Sequence, residues 1–237
     1  MTSLSADDLG TLLANVEPGE FLTKLSDDER TALFAKGRRR TVPRGGHLLV
    51  EGTRSDVVFV VLTGRVKVSS STSHGTEVVL AVRGPGALLG ELGAIDDEPR
   101  GASAIALEPI EVLAIGSSGF SEYLAGNPRV TLMLLRTVTS RLRDADRKRV
   151  EFGGFDTVSR VAFRLVELAE RFGEDVPDGV RIAIPFTQDE LAGWVGASRE
   201  AVVKALRALR ARGLVETQRR AMVIHDLPAL RRRGGIP

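Results

Sequence analysis

Three charged residues have the types and spacing of a surface that reads the edges of base pairs. Arg199 and Glu200 are adjacent, and Lys204 follows one helical turn later in a segment of helical periodicity. Arginine pairs bidentately with guanine, glutamate accepts from the cytosine amino group, and lysine reaches a guanine edge or a phosphate. The alternative interpretation is a solvated charged face on an ordinary core helix, and the surrounding elements decide between the two.

These residues open the second of two short predicted helices. Thr187 stands three residues before Glu190, which is the capping-box spacing for a helix that starts at Gln188. Gly196 suits a tight left-handed turn, and Ser198 caps the next helix. Two helices joined in this way predict a helix-turn-helix whose second helix enters the DNA major groove. The residues predicted to contact DNA here are Thr187, Gln188, Ser198, Arg199, Glu200 and Lys204.

A basic hairpin follows the predicted helix-turn-helix. The β-branched runs 214–217 and 221–224 flank Gln218, Arg219 and Arg220, which predicts a wing whose two arginines face phosphates. From Gly196 to the C-terminus, ten basic residues stand against three acidic ones, although the whole chain has a net charge of only +2. This local excess is typical of a partner with a phosphate backbone, so we expect double-stranded DNA as a partner.

Composition excludes several classes of protein. The 237 residues, 43% of them hydrophobic, suit two modest domains. The chain has no cysteine, which excludes disulfides, zinc-thiolate fingers and iron–sulfur clusters. His47, His74 and His225 have no metal-ligand spacing, and we find no assembled nucleophile and base, so we expect neither a metal site nor an enzyme. Because the sequence has neither an apolar run long enough to span a membrane nor the pattern of a secretory signal, we expect a cytoplasmic protein with no membrane partner.

Between Thr41 and Ile115 the pattern changes to short β-branched runs separated by turn signals, which predicts an antiparallel sandwich or jelly roll. The basic run 38–40 before it is either a nucleic-acid patch or the entrance to a strand, and we favour the strand. The predicted strands cover residues 48–50, 57–62, 66–69, 78–82, 104–107 and 112–115.

One stretch of this region, from Gly86 to Ser103, does not have the pattern of a strand. The run 90–93 is typical of a short helical turn whose backbone N–H groups cradle an anion. Arg100 would neutralise that anion, and Glu91 would accept from a sugar hydroxyl. The alternative is a surface crossover in which Arg100 pairs with Asp96, Asp97 or Glu98.

A long helix is predicted from Asn127-Pro128, because proline favours the first helical position. Its apolar residues have mixed three- and four-residue spacing, which predicts a coiled-coil dimer seam rather than a face packed on the sandwich. Gly153-Gly154 interrupts the pattern and predicts a hinge, giving domains 1–126, 127–152 and 153–237. The predicted seam residues are Leu132, Leu135, Val138, Leu142 and Ala145.

Taken together, these motifs resemble the cyclic AMP receptor protein family, or CRP/FNR superfamily. The resemblance covers roughly residues 21–225 and rests on the run PGALLGEL at 85–92, the downstream Arg100, and Ser198-Arg199-Glu200 at the second helix. It implies an α+β fold with an N-terminal cyclic-nucleotide-binding-type β-roll (a jelly roll), a long dimerisation helix and a C-terminal winged helix-turn-helix. The implied function is a homodimeric transcription regulator that binds a palindromic operator and works with RNA polymerase.

The resemblance also implies a ligand cassette in the β-roll. Gly90, Glu91 and Leu92 would supply backbone contacts, the Glu91 carboxylate would meet the ribose, and Arg100 would meet the cyclic phosphate, with Gly101 and Ala102 beside it. No cofactor is certain, and the implied effector is cyclic AMP or a guanine cyclic nucleotide. Members that bind cyclic AMP usually have serine or threonine where this chain has Gly101, which keeps the backbone donor and lacks the hydroxyl.

Two further departures concern the base and the DNA sequence. Ala145 and Asp146 match positions where family members carry polar contacts to adenine. Aspartate accepts only, so Asp146 either takes the two N–H donors of a guanine edge or is a solvated charge beside neighbouring arginines. Lys204 replaces the usual arginine, which weakens bidentate readout of the TGTGA-like half-sites that the family implies. An alternative function is an effector-independent regulator with a degenerate pocket.

Overall fold

The computed structural model describes residues 20–54, 56–71, 77–183, 187–218 and 221–236. These residues form two compact units, and the boundary between the units falls inside a long helix, after Leu142. None of the helices in the described ranges combines the length and the apolar composition needed to cross a membrane.

The first unit is built on two four-stranded sheets whose strand orders are β1-β8-β3-β6 and β2-β7-β4-β5. The prediction of a β-rich sandwich is confirmed, and six of the strands match the predicted runs. The basic run 38–40, favoured as the entrance to a strand, lies inside β1 and is exposed, whereas β6, with only two residues, was not assigned from the pattern. The strands are β1 (Gly37–Val42), β2 (His47–Leu49), β3 (Val57–Thr63), β4 (Val66–Ser71), β5 (Glu77–Arg83), β6 (Leu88–Leu89), β7 (Ser103–Ala106) and β8 (Ile110–Gly116).

Strand β3 is buried on both faces, which explains its unbroken apolar run. Phe59 and Val61 point between the two sheets, where they pack with residues of β2, β4, β7 and β8. Val58, Val60 and Leu62 point the other way and pack against helices. Successive side chains alternate across a strand, so only a sheet covered on both sides requires apolar residues at every position.

Helices cover the outer face of the first sheet. A 3₁₀ turn at Phe21–Lys24 and α1 (Asp27–Ala35) precede the strands. Ser26 forms the predicted capping box with Glu29 at the start of α1. The remaining helices that begin in this unit are α2 (Glu91–Asp96), α3 (Ser117–Gly126) and the long α4 (Pro128–Gly154), which crosses the boundary after Leu142.

An ion pair ties α1 to the start of α4. Nε of Arg129 donates to Oε1 of Glu29 at 2.7 Å, and the same guanidinium donates to the Lys24 carbonyl at 3.0 Å. The Arg129 hydrogen bond, together with the capping-box contact at Ser26, lowers the pKa of Glu29 to about 2. Glu29 is therefore ionised at neutral pH, and the first turn of α4 is anchored to the helix that precedes the strands.

The residues predicted for the dimer seam of α4 do not all lie on one exposed face, and the seam itself stays a prediction. Leu132, Leu135 and Leu142 are exposed, at 49%, 60% and 61%. Val138 instead packs against the core of the first unit, beside Met133 and Leu134. The polar Thr139 is exposed on the same side of the helix, so the stripe repeats at 132, 135, 139 and 142 with three leucines and one threonine. Apolar residues spaced three and four apart are compatible with two neighbouring faces of the helix. Only the packing of α4 against the core of the first unit determines which of these faces is exposed.

Helix α4 also extends beyond its predicted end. It includes Gly153 and Gly154, so these glycines continue the helix where an interruption was expected. Glycine lowers helix propensity by about 1 kcal/mol relative to alanine, which disfavours a helix without forbidding it. The use of this pair as a hinge and the three domain ranges stay predictions.

The second unit contains a helix-turn-helix beside a small antiparallel sheet, with the strand order β11-β12-β10-β9. The predicted wing strands correspond to β11 and β12. Helix α5 carries the apolar face that the other elements cover, with Val161, Leu165 and Val166 fully buried. The elements are α5 (Thr157–Phe172), β9 (Gly173–Val176), β10 (Gly179–Ala183), α6 (Gln188–Val195), α7 (Arg199–Ala211), β11 (Val215–Gln218), β12 (Ala221–Ile224) and α8 (Leu227–Arg233).

The C-terminal arginines belong to a helix that packs on α5. Arg233 donates to both carboxylate oxygens of Asp156, at 3.0 and 2.8 Å, and Arg231 pairs with Glu170. Asp156 also caps α5 by accepting from Ser159 N. The Arg233 contact and this capping bond lower the pKa of Asp156 to about 2. Two of the three arginines therefore hold α8 against α5, while Arg232 is exposed.

Candidate functional site

The helix-turn-helix is built as its sequence predicts. Thr187 forms a capping box with Glu190 at the start of α6, and Gly196 ends that helix in the left-handed region, with φ of 60°. Ser198 caps α7 by accepting from Ala201 N at 3.2 Å. Because capping fixes where each helix begins, the first turn of α7 presents Arg199 and Glu200 to solvent.

Helix α5 supports this pair of helices from behind. Nη1 of Arg160 donates to the Gly196 carbonyl at 3.3 Å, which ties α5 to the turn between α6 and α7. Arg164, only 4% exposed, lies with its guanidinium carbon 5.3 Å from the centroid of the Trp194 ring. The inner face of α7 packs into the same unit through four buried residues, Val202, Ala205, Leu206 and Leu209.

The outer face of α7 forms one open surface that we call the α7 face, lined by Arg199, Glu200, Val203, Lys204 and Arg207. Nε of Arg199 lies 3.9 Å from Oδ1 of Asp189, and both side chains are more than half exposed, at 60% and 68%. Such a pair contributes little, so the guanidinium is available to an incoming ligand. Hydrogen bonds from its own backbone N–H and from Ser198 lower the pKa of Glu200, which makes it an ionised acceptor.

Two members of the α7 face, Val203 and Arg207, were not predicted from the sequence. Both follow Arg199 at four-residue intervals, so a count of helical phase would have found them. Thr187 and Gln188 are exposed at the start of α6, as the prediction of DNA contact requires. Arg219 and Arg220, the predicted wing tip, lie outside the described residues.

In the first unit, the predicted ligand cassette surrounds the start of α2. Gly90 precedes this helix in the left-handed region, with φ of 79°. Glu91 is 2% exposed, whereas Leu92 points outward and is 53% exposed. The cassette thus combines a buried carboxylate with an outward-facing leucine, and the backbone turn that precedes both depends on glycine.

Arg100 is the second buried charge of the cassette, at 5% exposure. Nη1 donates to the Gly90 carbonyl at 2.7 Å, and Nη2 donates to the Val57 carbonyl. Burial lowers the pKa of the guanidinium, and the nearby carboxylates of Asp56 and Glu91 oppose that shift. The alternative of a surface arginine paired with acids of the crossover is therefore wrong. Two of the five guanidinium N–H groups are used by these carbonyls.

Arg141 of α4 completes the cassette, and the sequence did not point to it as a site residue. Its guanidinium pairs with the Glu91 carboxylate and donates to the Leu88 carbonyl at 3.1 Å. The carboxylate expected to meet a ribose is therefore already engaged by the long helix. Arg141 lies four residues before Ala145 and therefore on the same face of α4. This spacing from a predicted ligand residue is the signal by which the sequence could have indicated Arg141.

The remaining predicted ligand residues are all at least partly exposed. Gly101 is exposed, and a side chain added there would meet open space. Ala102 is partly exposed beside it. Ala145 and Asp146 are both exposed on α4, but in different phases: Ala145 follows the face of Arg141, whereas Asp146 follows Leu142 along the exposed stripe.

Among the described residues, no three or more histidine or acidic side chains are grouped so that they could hold a metal ion. His47 and His225 belong to this part of the chain, whereas His74 lies outside it. Nδ1 of His225 is 2.8 Å from the Asp178 carbonyl, which ties the end of β12 to the turn before β10.

Comparison with known proteins agrees with both halves of this architecture. The cyclic nucleotide-binding domain family matches residues 39–127, and the Crp-like helix-turn-helix domain family matches residues 159–233. A "CRP-like cAMP-activated global transcriptional regulator" of Mycobacterium tuberculosis is 32% identical, over 81% of this chain and 85% of its own length. The "Cyclic AMP receptor protein" of Thermus thermophilus is 30% identical over the same shares of the two chains.

The fold has a solved counterpart as well. The structure of the global regulator CLP of Xanthomonas campestris superimposes with a TM-score of 0.74, at 23% identity, over 85% of this chain and 100% of the other. These relatives are transcription regulators and not enzymes. With a nucleotide-binding-type β-roll, a long helix and an exposed helix-turn-helix in this order, the chain belongs to the CRP family of DNA-binding transcription regulators.

Proposed function

We propose that the chain acts as a homodimer whose β-roll binds a cyclic nucleotide, and that this binding controls its affinity for a palindromic operator. The observation that carries the proposal is the burial of Arg100 and Glu91 side by side at the start of α2, at 5% and 2% exposure. RNA polymerase is a further partner in this proposal, for the case that the regulator activates transcription. The names of the two relatives given above, one cAMP-activated and the other a cyclic AMP receptor protein, support the choice of ligand class.

Buried charges are costly, which supports a role for this cluster in binding. A protein retains such groups where they serve a partner or a specific conformation, because well-packed apolar residues would often be as stable. Arg100 keeps donors beyond the two that meet carbonyls, and a cyclic phosphate is a bidentate acceptor that suits them. Arg141, which joins α4 to Glu91, offers a route by which a ligand at the cassette would alter the long helix.

Calorimetric titration with cyclic AMP, and separately with cyclic GMP, tests the ligand class. We expect binding of cyclic AMP in the micromolar range, about −8 kcal/mol.

The variant Gly101→Ser should tighten cyclic AMP binding, because the site is open and a hydroxyl adds a hydrogen bond to the phosphate. Binding of cyclic GMP that is lost in Asp146→Ala would identify Asp146 as the reader of a guanine base.

A second candidate function is a regulator without an effector. It is favoured by the Glu91 carboxylate being engaged by Arg141 and by the absence of a hydroxyl at Gly101. If neither nucleotide produces heat, and the protein binds its operator equally well with and without nucleotide, this second function replaces the first.

The homodimer is supported by the exposed stripe on α4. Leu135 and Leu142 leave large apolar surfaces in water on one chain, and a second copy of the helix would cover them. We expect Leu135→Asp to convert the dimer to monomers, because a charge at a seam position must be buried without a partner. Sedimentation velocity measures the change.

The matched control for this prediction is Ser140→Asp. Ser140 is exposed on the same helix, away from the stripe, so the variant introduces the same charge without entering the seam. If both variants stay dimeric, the stripe is not the interface. If both become monomeric, added charge alone weakens the helix.

A further inference from the structure

Val203 is the apolar member of an otherwise charged surface. The α7 face contains Val203 together with two arginines, a lysine and a glutamate. Its neighbour Val202 is completely buried and belongs to the core, whereas Val203 is partly exposed. The inner face of α7 is filled by four other residues, so the packing of the domain does not account for an apolar group on the outer face.

The helical phase of Val203 places it in the row that reads DNA. Arg199 lies four residues before it and Arg207 four residues after it, and side chains four apart are neighbours on a helix surface. The rise over four residues is about 6 Å, while successive base pairs are about 3.4 Å apart. If Arg199 reads a base from the first turn of α7, Val203 therefore lies opposite the first or second base pair beyond it.

The major groove offers hydrogen-bonding groups and one apolar group, the C5-methyl of thymine. Valine cannot donate or accept, so pressing it against a guanine, adenine or cytosine edge leaves a polar group without a partner. Pressing it against a thymine methyl removes apolar surface of both groups from water. We propose that Val203 is a specificity-determining residue that selects thymine next to the base pair read by Arg199 and Glu200.

This inference rests on the proposed function, since it requires that α7 enters the major groove of a specific site. The site is obtained first, by selection of duplexes from a random library with the wild-type dimer. Each thymine of one half-site is then replaced by deoxyuridine, which differs only in lacking the methyl group. We expect one replacement to weaken binding about fourfold, which is the loss of one buried methyl contact.

The decisive comparison uses the variant Val203→Ala on the same duplexes. Alanine favours helix, so the variant should fold, and circular dichroism checks this. In Val203→Ala, the deoxyuridine and thymine duplexes should bind equally at the sensitive position. In the matched control Lys204→Ala, overall affinity should fall while the fourfold effect of deoxyuridine persists.

The outcomes separate the inference from the function on which it rests. If no sequence is enriched in the selection, sequence-specific DNA binding fails, and the role of Val203 fails with it. If a site is enriched but every deoxyuridine duplex binds as well as its thymine parent, the role of Val203 is overturned while the proposed function stands. The same conclusion follows if the sensitive position stays sensitive in Val203→Ala.

Discussion

Replacing Arg199 by alanine should weaken binding to the selected operator by about 1–3 kcal/mol, roughly 5- to 150-fold. The reason is geometric: Ser198 caps α7 immediately before Arg199, so this side chain leaves the first turn of the helix, which is the part that reaches base edges. Its pair with Asp189 spans 3.9 Å between exposed groups and costs little to break. Fluorescence anisotropy with labelled duplexes measures the change.

The control for Arg199 is Arg212→Ala. Arg212 is exposed just after the end of α7, so this variant removes the same charge away from the α7 face. On random DNA of equal length, the two variants should lose similar and small amounts of affinity, because both contribute only to phosphate attraction. A loss for Arg199→Ala that is equal on operator and random DNA would show that Arg199 holds phosphate and reads no base.

Replacing Arg100 by alanine should weaken binding of a cyclic nucleotide by about 3 kcal/mol, or roughly 150-fold. The guanidinium is the buried positive charge beside Glu91, and truncating one partner of a buried charge pair leaves the phosphate without its counter-charge. Calorimetry measures the binding, and sedimentation checks that the dimer persists. A folded Arg100→Ala dimer with wild-type nucleotide affinity would contradict the cassette.

Stability must be separated from binding for this variant. Arg100→Ala also removes the donors to the carbonyls of Gly90 and Val57, so the first unit should unfold at a lower temperature. Arg100→Lys keeps the charge and lacks the planar fork, and it should bind nucleotide with an affinity between the wild type and the alanine variant. If nucleotide affinity in the wild type, Arg100→Lys and Arg100→Ala follows their thermal stability and not the geometry of their hydrogen-bond donors, Arg100 has a structural role alone.

Local chemistry allowed much of the DNA-binding half to be predicted from the sequence. Capping at Thr187 and Ser198 and the turn at Gly196 act within a few residues, so their consequences are readable from the chain. The inner face of α7 follows from helical periodicity in the same way. Val203 and Arg207 have the same periodicity, four and eight residues after Arg199, but they were not predicted.

The β-roll half shows where local patterns stop being sufficient. The apolar run at 57–62 predicted a strand. In the assembled domain, a second sheet covers one face of this strand and helices cover the other, and the run itself does not show this. Strand β1, with three exposed arginines on a sheet edge, carries no apolar alternation to reveal it. Its existence depends on β8, to which it pairs over its full length.

The sequence by itself determined the family, the succession of β-roll, long helix and helix-turn-helix, and the caps of α6 and α7, because each depends on short-range spacing. Only the tertiary structure decided which face of α4 is exposed. Val138 packs against the core of the first unit, whereas Leu132, Leu135 and Leu142 face solvent. It also decided that Arg141 engages Glu91 across 50 residues, and that Arg233 holds Asp156 across 77. Contacts between residues so far apart depend on packing, and no local pattern encodes them.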